Sequence, residues 1–553
     1  MDRKKIYLLL LIWFLINLIQ GLVTNIQEDE TYYFLYSKSI DWGYFDHPPF
    51  IAWMIRAGSL FFKGNLQIRF FPIVLQPFTL LLIWEQLNFK RRATTQQILL
   101  FFLTTFSMIM FSVYGFVATP DSPLLFFTAL FFFSYQRFLK KSNWINTLLM
   151  IVSSVGLIYS KYQGVLVIFL SLLSNTSLFK KKQFYLVLLI GLLLLAPHIY
   201  WQYSHHFPSI KFHAIGRSEP FKWAYFWEYI PNQMLSFNPF IFLAVIYVLV
   251  KYKYIDAFHK ALYFNIIGII LFFWVSTFRG HAEPHWTIVA AVPMLIVLNE
   301  HISYHPALLK YTKRFIGASA ILVLLLRIAL AAQLLPEQFG FSSKSDYYKA
   351  IAAEANHIPV IFLGNHIEPS LYHFYTGDTA ISLSNLNTRK SQFDIWNYQN
   401  NWMGKPAFIF GDFKGKSNHY NVNGYKFNGF KTDSLFTTNS LKITYQLPTD
   451  ILYNNDSVLI PFQLKNTLNK TFFLQTKDFT VEINAILKNK TSILVVPCRK
   501  KLRNQFILPG ATIQDTLHLI MPKLSTGQYL IGLAASNTLG PTANSSFTSI
   551  EIK

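Results

Sequence analysis

Residues 6–24 read IYLLLLIWFLINLIQGLVT and contain no charged side chain. A helix of about 20 apolar residues crosses the hydrocarbon core of a bilayer, so this run is long enough to form one span. Comparable apolar runs recur along the chain as far as residue 335 and then stop. The sequence therefore predicts an α-helical polytopic membrane protein that ends in a soluble region.

The composition supports a membrane protein and argues against a nucleic-acid-binding one. The chain has 553 residues, of which 52% are hydrophobic and 14% charged, which is too apolar for an ordinary soluble enzyme. The net charge of +22 comes from Lys and Arg scattered in short runs between apolar segments. That pattern indicates membrane orientation and no nucleic-acid partner. The single cysteine, Cys498, leaves no partner for an intramolecular disulfide or a thiolate metal cluster.

We expect about 11 membrane spans, each close to the length that a bilayer requires. They lie near residues 6–24, 69–87, 97–116, 122–138, 145–159, 164–178, 184–201, 236–250, 258–277, 285–299 and 315–334.

The short basic loops predict how these spans are oriented. Lys and Arg in short loops stay on the cytoplasmic side of a membrane. If every proposed span crosses, the basic residues near 4–5, 90–92, 140–141, 180–182, 251–253 and 310–314 all fall on one side. We therefore expect a multi-pass protein of the bacterial inner (cytoplasmic) membrane, with its N-terminus in the cytoplasm and everything after residue 335 exported to the periplasmic side.

The soluble region divides into two parts by its patterning. Residues 341–440 combine a helix-like piece with short buried-strand runs at 359–363 and 407–411, which predicts a small α/β module. Residues 441–553 alternate between apolar and polar side chains with turn signals between the runs, which predicts a β-sandwich-like domain. We thus expect a transmembrane domain over 1–340 and two soluble modules that bind an acceptor, a glycan or a partner.

A cluster of acids follows the first span directly. Residues 28–33 read EDETYY. Carboxylates so close to hydrocarbon are costly and persist where they pair with cations or serve a substrate, and one facing a cavity can take the proton of an acceptor hydroxyl. Asp29 is the candidate base, and Glu30 is placed to orient it or to hold a basic partner. The alternatives are a solvated loop, or Asp29 as the N-cap of a helix that begins near Thr31.

A second group of ionisable residues lies on the same predicted side. Asp121 follows Pro120 at the start of a span, where alone it reads as a helix N-cap. Lys161 and Arg217 provide the point charge and the forked donor that a lipid phosphate needs. The alternative for Lys161 is a side chain that extends to the membrane interface without a ligand.

Residues 280–286 read GHAEPHW and contain the remaining candidates. His281, Glu283 and His285 can bind a divalent metal beside a phosphate leaving group, or can contact the acceptor. The ligand set is incomplete, and sequence spacing alone fixes no geometry. Apart from this candidate metal, the sequence indicates no cofactor.

Several of these stretches resemble one known family. Residues 29–33 (DETYY) look like its Asp-Glu-x-Tyr-Tyr motif, and residues 41–49 (DWGYFDHPP) match its corresponding run nearly throughout. Residues 119–121 (TPD) and the Lys161-Tyr162 pair look like its second acid and its basic pair. On these motifs residues 6–335 resemble the GT-C membrane glycosyltransferases of family 39, the protein O-mannosyltransferase and aminoarabinose transferase type.

The resemblance implies an activity and a set of site residues. It implies a polyprenyl-phosphate sugar donor, transfer with inversion to a hydroxyl or phosphate of a lipid, glycan or protein acceptor, and Asp29, Glu30 and Asp121 as catalytic residues. The side chains expected at the donor and its phosphate are Tyr44, Asp46, His47, Lys161, Tyr162 and Arg217.

A second hypothesis is a transporter or flippase of a lipid-linked substrate, which also needs exported charges and a cavity open to lipid. It predicts ionisable residues within the spans. The proposed spans are largely uncharged, with Glu85 and Arg327 near ends or isolated, which favours the transferase.

Overall fold

A computed structural model describes residues 3–90, 93–336, 339–341, 343–386, 388–413, 415–489, 492–502 and 504–553. The chain divides into two compact units, Met1–Ser343 and Lys344–Lys553. Unit 1 is helical and unit 2 is rich in strands. The predicted fold class, a helical membrane part followed by a strand-containing C-terminal region, is confirmed.

The helices of unit 1 cover all of the predicted spans. They are α1 (Arg3–Val23), α2 (Glu28–Lys38), α3 (Phe50–Gly58), α4 (Asn65–Gln86), α5 (Thr95–Ser107), α6 (Ile109–Val113), α7 (Asp121–Lys140), α8 (Trp144–Ser160), α9 (Gly164–Ser174), α10 (Lys182–Ser204), α11 (Pro208–Lys211), α12 (Trp223–Phe237), α13 (Pro239–Lys251), α14 (Ala257–Ser276), α15 (Ala291–Ile302), α16 (Pro306–Tyr311) and α17 (Gly317–Ala331).

The number of spanning helices is smaller than the sequence predicts. Within the described part of the chain, length and composition allow six spans, in α1, α4, α10, α14, the 19-residue helical segment Pro284–Ile302 that ends in α15, and the α16–α17 segment. A seventh exists if α12 and α13 form one span bent by 102°. The prediction of eleven is therefore corrected. Helices α8 and α9 have only 17 and 11 residues, and Met108 separates α5 from α6.

Small residues allow the helices that carry the site to pack closely. Gly156 of α8 lies against the Phe127 ring of α7, where an added Cβ would stand 2.2 Å from that ring. At Gly21 of α1, an added Cβ would stand 2.7 Å from Ile73 Cδ1 of α4. Because real Cβ atoms do not approach neighbours this closely, each glycine fixes the distance between two helices.

Four of the predicted basic loops contact one another in two pairs. Lys5 Nζ donates to Thr95 Oγ1 at 3.0 Å, and Lys181 Nζ donates to Ser142 Oγ at 2.9 Å. These contacts join the starts of α1 and α5, and the loops before α8 and α10. The orientation of these loops in the membrane stays a prediction.

Among the residues that the structure describes, unit 2 contains four α-helices and the strands of the chain. The helices are α18 (Ser345–Ala355), α19 (Ile367–Thr376), α20 (Gln392–Trp396) and α21 (Gln399–Trp402). The strands are β1 (Val360–Leu363), β2 (Ala380–Leu383), β3 (Ala407–Phe410), β4 (Asn418–Val422), β5 (Tyr425–Thr432), β6 (Leu441–Tyr445), β7 (Ile451–Leu452), β8 (Ser457–Asn466), β9 (Phe472–Phe473), β10 (Glu482–Lys488), β11 (Ile493–Lys501), β12 (Phe506–Ile507), β13 (Thr512–Ile520), β14 (Gly527–Asn537), β15 (Gly540–Ala543) and β16 (Thr548–Ile552).

The strands form a five-stranded mixed sheet and further sheets that are antiparallel except where β16 pairs in parallel with β7. The mixed sheet has the order β2-β1-β3-β5-β4, with β1 parallel to both β2 and β3. The later strands form a sheet containing β11-β10-β14-β16-β7 and a three-stranded sheet, β13-β8-β6. One hydrophobic cluster contains Ile361 and Ile409 of the mixed sheet together with Ile460 and Ile550 of the later sheets. The two predicted soluble modules therefore share a core.

Candidate active site

Helix α2 begins one residue before Asp29. Its N-cap is Gln27, whose side-chain Oε1 accepts from Asp29 N at 2.8 Å, while Gln27 N donates to Glu30 Oε2 at 2.8 Å. This reciprocal pair is a capping box. Asp29 is therefore not the N-cap that the alternative interpretation expects.

Glu30 is completely buried and holds an arginine from another helix. Its oxygens accept from Arg69 Nε at 2.8 Å and 3.1 Å, and Arg69 Nη2 also donates to Oε2. The same carboxylate accepts from Ala118 N at 2.7 Å. Both charged side chains are fully buried, so this pair ties α2 to α4 and to the segment that leads to Asp121. Glu30 thus has the basic partner that its sequence position suggests, while its role in the reaction stays a prediction.

Asp121 and Lys161 form a second buried ion pair. Lys161 Nζ lies 2.8 Å from each carboxylate oxygen of Asp121, and the two side chains are 5% and 4% exposed. Asp121 is the first residue of α7, and the N-cap is Pro120, so the N-cap interpretation of Asp121 is wrong. Lys161 does not extend to the interface either. The two residues are held together because each neutralises the other away from water.

The DWGYFDHPP motif builds a loop that is fastened to α10. Asp41 Oδ2 accepts from the Trp201 indole Nε1 at 2.8 Å, and its Oδ1 accepts from Trp42 N at 2.7 Å. Gly43 lies against the same indole ring, where an added Cβ would stand 2.5 Å from Trp201 Cε3. The His198 ring, through Nδ1, lies 2.7 Å from Trp42 O. The motif is therefore matched to α10 at several points.

Two motif residues that were expected at the donor are used to build this loop. Tyr44 is 0% exposed, its ring stacks on Tyr36 at 4.1 Å, and its hydroxyl donates to the carbonyls of Tyr36 and Ser39. Tyr44 therefore has no exposed surface with which to contact a donor. Asp46 is also buried, and its Oδ1 accepts from the Tyr36 hydroxyl at 2.6 Å.

Three carboxylates converge around Tyr33. Burial raises the pKa of the Tyr33 hydroxyl well above its usual value, and the charges of Asp29, Asp46 and Asp121 raise it further. The hydroxyl therefore keeps its proton, and it lies 3.3 Å from His47 Nε2. Since burial also lowers the pKa of His47 to about 3, this imidazole is neutral at physiological pH.

A cleft of about 420 Å³ lies beside this group. Its polar lining includes Tyr162, His213, Arg217, Arg279 and His281, and its apolar lining includes Val165, Leu166, Phe272 and Phe273. The His213 ring connects it to the carboxylate group, because it lies 6.4 Å from the His47 ring and its Nε2 lies 2.9 Å from Asp46 O.

Two cleft residues are held by defined contacts. The Arg217 guanidinium lies 5.1 Å from the Phe212 ring and 4.9 Å from the Trp286 ring, within the range of cation–π attraction. The Tyr162 hydroxyl accepts from Gln202 Nε2 at 2.9 Å and lies 3.3 Å from His198 Nε2. Both predicted donor residues therefore line the cleft from fixed positions.

The structure does not gather His281, Glu283 and His285 into one three-residue cluster, and a metal here stays a prediction. His281 and Glu283 are separated by 4.0 Å and both are partly exposed, whereas His285 lies beside the Tyr114 ring. Among the described residues, no group of three His, Cys, Asp or Glu side chains is arranged to hold a metal ion. His281 instead lines the cleft, and His285 is surrounded by the charges of Lys161, Asp121, Glu283 and Asp29.

Sequence reasoning missed three residues that organise this region. Arg69 binds Glu30, Trp201 binds Asp41, and Arg279 lines the cleft with its Nη2 donating to Ala214 O at 2.5 Å. Arg69 carried a usable signal, because a charged residue at the edge of an apolar run needs a partner. Trp201 lies in residues 197–206, which resemble the family's exported loop after a span but gave Trp201 no role in the site, and Arg279 carried no signal.

Comparisons with known proteins agree with this geometry. A family model described as dolichyl-phosphate-mannose-protein mannosyltransferase matches residues 46–201, a segment that contains Asp46, Asp121, Lys161 and Trp201. No curated protein matches the chain significantly in sequence.

Solved structures match over most of the chain. ArnT from Cupriavidus metallidurans in the apo state matches with a TM-score of 0.56 and 14% identity, over 78% of this chain and 98% of that one. The same protein bound to undecaprenyl phosphate matches with a TM-score of 0.54 and 14% identity, over 77% of this chain and 97% of that one. At this identity the likeness establishes the fold.

The family match over residues 46–201 and the ArnT-like fold are both similarities to the GT-C membrane glycosyltransferases. Within that class, the predicted resemblance to the protein mannosyltransferase and aminoarabinose transferase type is confirmed.

Proposed function

We propose that this protein transfers a sugar from a polyprenyl-phosphate donor to a hydroxyl or phosphate of a lipid, glycan or protein acceptor. The description of the family that matches residues 46–201 names a dolichyl-phosphate sugar, dolichyl-phosphate-mannose. One of the matching ArnT structures is bound to undecaprenyl phosphate. Both molecules are polyprenyl phosphates. They support a donor of the same chemical class for this chain.

The observation that carries the proposal is the mixed character of the cleft. The cleft is lined by the apolar side chains of Phe272, Phe273 and Leu166 and also by the guanidinium groups of Arg217 and Arg279. A polyprenyl phosphate has the same two halves, an apolar chain and a dianionic head. Guanidinium groups suit that head because their planar N–H donors match phosphate oxygens in pairs.

Arg217 is the residue we assign to the donor phosphate. Its guanidinium is held near the Phe212 and Trp286 rings, so little side-chain freedom is lost when it binds. During transfer the phosphate oxygen gains negative charge as its bond to the sugar breaks. A positive group already in place stabilises that charge without first reorganising.

Asp29 is the residue we assign as the base. Both oxygens of Asp121 face Lys161 Nζ at 2.8 Å, and Glu30 binds Arg69 and Ala118 N. Asp29 is the first acid of the DETYY motif on which the family resemblance rests, and the N-cap of α2 is Gln27. Asp29 is half-buried and acts electrostatically on Tyr33 together with Asp121.

The step then balances as follows for a hydroxyl acceptor. The acceptor oxygen attacks the anomeric carbon from the side opposite the phosphate, and its proton passes to the Asp29 carboxylate. The bond between the anomeric carbon and the phosphate oxygen breaks, and its electron pair leaves with the polyprenyl phosphate at Arg217. Attack opposite the leaving group inverts the anomeric carbon. The positive charge that develops on the acceptor oxygen is then met by the Asp29 carboxylate, and the negative charge on the leaving phosphate by the Arg217 guanidinium.

We further propose that the protein lies in the bacterial inner membrane with the site on the exported side. The basic residues support this orientation, because Lys5 and Lys181 each contact another loop that is predicted to be cytoplasmic.

The proposal is tested with the purified full-length protein and a mixed pool of polyprenyl-phosphate sugars. Mass spectrometry should detect free polyprenyl phosphate together with one glycosylated acceptor. Arg217→Gln should raise the donor KM roughly 10-fold or more, since a hydrogen bond to a charged group contributes about 1.5–3 kcal/mol.

Arg137→Gln is the matched control for this experiment. Arg137 also lies over an aromatic ring, Phe133 at 5.4 Å, but it is in the last turn of α7, outside the cleft. Its substitution should leave the donor KM unchanged. If no lipid-phosphate sugar is consumed, or if both arginine variants behave alike, the assignment of the cleft to the donor is wrong.

A further inference from the structure

The first amide of α2 is bonded to a part of the chain that lies far away in sequence. Glu28 N donates to Gly340 O at 2.8 Å, and Gln27 pairs with Phe341 in an isolated antiparallel bridge. We call residues 339–341 the strap. The strap follows α17 and immediately precedes unit 2 in sequence.

The strap completes the cap of the helix that carries Asp29. The first four amides of a helix have no acceptor within the helix. Here Asp29 N uses Gln27 Oε1 and Glu30 N uses Gln27 O, whereas Glu28 N uses Gly340 O. The acceptors for this first turn are thus one residue, Gln27, and the strap.

The shape of the strap leaves little freedom in this contact. Gly340 has φ +76°, in the left-handed region, and an added Cβ would stand 3.1 Å from Gln27 Nε2. Phe341 packs on a small core formed by Ile73, Phe116, Val117 and Leu330, with its ring 6.5 Å from that of Phe116.

The chain that leads to the strap is itself fixed to α1. Arg327, buried in α17, donates to Asn17 Oδ1 at 2.8 Å and to Gln20 Oε1 at 3.3 Å. Farther along, Gln333 Nε2 donates to Asn25 Oδ1 at 3.1 Å. The strap therefore approaches α2 from an anchored helix end.

We propose that the strap is a positioning element of the active site, and that it fixes the first turn of α2 so that the Asp29 carboxylate meets the acceptor hydroxyl. This inference rests on the proposed role of Asp29 as the base. It assigns a function to Gly340 and Phe341, which lie outside every motif in the sequence. A displacement of about 1 Å in a reacting group lowers turnover up to roughly 100-fold, so the loss of one cap bond should be visible in kcat.

Two substitutions at Glu28 isolate the single hydrogen bond. Glu28→Pro and Glu28→Ala both remove the side chain, but only proline removes the amide that donates to Gly340. Proline is well suited to the first helical position. Gln27 has φ −81° and ψ 141°, the extended conformation that a residue before proline prefers. The helix itself is therefore expected to form in both variants.

We expect Glu28→Pro to have a kcat at least about 10-fold lower than Glu28→Ala, with the donor KM of the two variants within roughly twofold. If the substitutions only made the helix less stable, they would lower the yield of folded protein. The ratio of the two kcat values, measured at equal concentrations of folded protein, would then not change. Equal kcat values in the two variants would overturn the inference.

A second comparison keeps the test decisive if the proline variant does not fold. Gly340→Ala introduces a methyl group at a positive φ beside Gln27, whereas Gly377→Ala does so at nearly the same φ, +77°, with nothing within 4 Å. We expect a lower kcat, at an unchanged donor KM, only for Gly340→Ala. An equal kcat in both alanine variants contradicts the inference.

Asp29→Asn is measured in parallel so that the two proposals can fail separately. If Asp29→Asn is inactive while Glu28→Pro equals Glu28→Ala, the strap does not position the base and the proposed function stands. If Asp29→Asn is active, both the base assignment and the strap inference are wrong.

Discussion

Breaking the buried pair between Asp121 and Lys161 from one side should cost far more stability than removing both charges. Lys161→Met leaves a carboxylate without its partner, and Asp121→Asn leaves an ammonium group without its partner. Each side chain is at most 5% exposed, so water cannot replace the lost partner. The double variant leaves neither charge behind.

The size of the effect follows from this burial. Removing one partner of a buried ion pair costs about 3–5 kcal/mol, while replacing both with neutral groups of similar volume is often close to neutral. Both 2.8 Å contacts of the lysine are lost in either single variant. We therefore expect a coupling free energy of at least roughly 3 kcal/mol in a double-mutant cycle.

The assay is the free energy of unfolding in mixed micelles for the wild type, both single variants and the double variant. The exposed pair Lys349 and Asp346, with side chains 60% and 71% exposed, is the control and should show no measurable coupling. Additive losses at Asp121 and Lys161 would refute the conclusion that this pair is a buried structural unit.

Three further predictions concern orientation, packing and pH. A cysteine placed at residue 345 should react with an impermeant reagent in cells whose outer membrane is permeabilised, and one at residue 181 should not, because basic loops stay in the cytoplasm. The opposite labelling would show that the topology is reversed. Gly43→Ala should destabilise the protein by about 1–3 kcal/mol in thermal unfolding, because the added Cβ would stand 2.5 Å from Trp201 Cε3 and overpack the loop. An unchanged midpoint of thermal unfolding would show that the loop is not tightly packed against Trp201. The pKa of His47 is about 3 in the folded protein and about 6.5 in the unfolded chain, so the unfolded state binds more protons between these values. The free energy of unfolding should therefore fall as pH falls from about 6.5 toward 3. His47→Gln should make this pH dependence weaker, and an unchanged dependence would show that His47 is not the group responsible.

The fold class could be predicted from the sequence because hydropathy is a local property. Every apolar run became helical, as the segments at α8 and α9 show. Whether a helix spans the membrane depends on the residues at which it begins and ends. Helix α9 ends after 11 residues, at Ser174, within a run that by hydropathy continues to residue 178.

The site could be predicted in its residues but not in its pairings. Asp121 and Lys161 were each identified separately, and only the packing of α7 against α8 shows that they bind each other. Arg69 was not identified, because its partner Glu30 lies 39 residues away in sequence. Hydrogen bonds between distant segments leave no periodic signal in a single sequence.

The DWGYFDHPP motif shows a different limit. Its length made the family resemblance specific, and this suggested that its polar residues bind the donor. In the structure Tyr44 and Asp46 hold the loop in shape instead. A sequence motif contains the residues that a site requires. It does not show which of them contact a ligand and which of them hold the loop in its conformation.

The Asp29→Asn variant decides whether Asp29 is the base. Asparagine is tolerated at a helix N-terminus, so the variant should fold and bind the polyprenyl-phosphate donor with an unchanged dissociation constant. It cannot accept the acceptor proton, and general base catalysis contributes typically 10²–10⁴-fold. Glu219→Gln, which changes an exposed carboxylate bonded to the Tyr225 hydroxyl, is the control and should retain turnover. We predict that single-turnover transfer by Asp29→Asn is at least roughly 10²-fold slower than in the wild type; a rate close to that of the wild type would contradict the account.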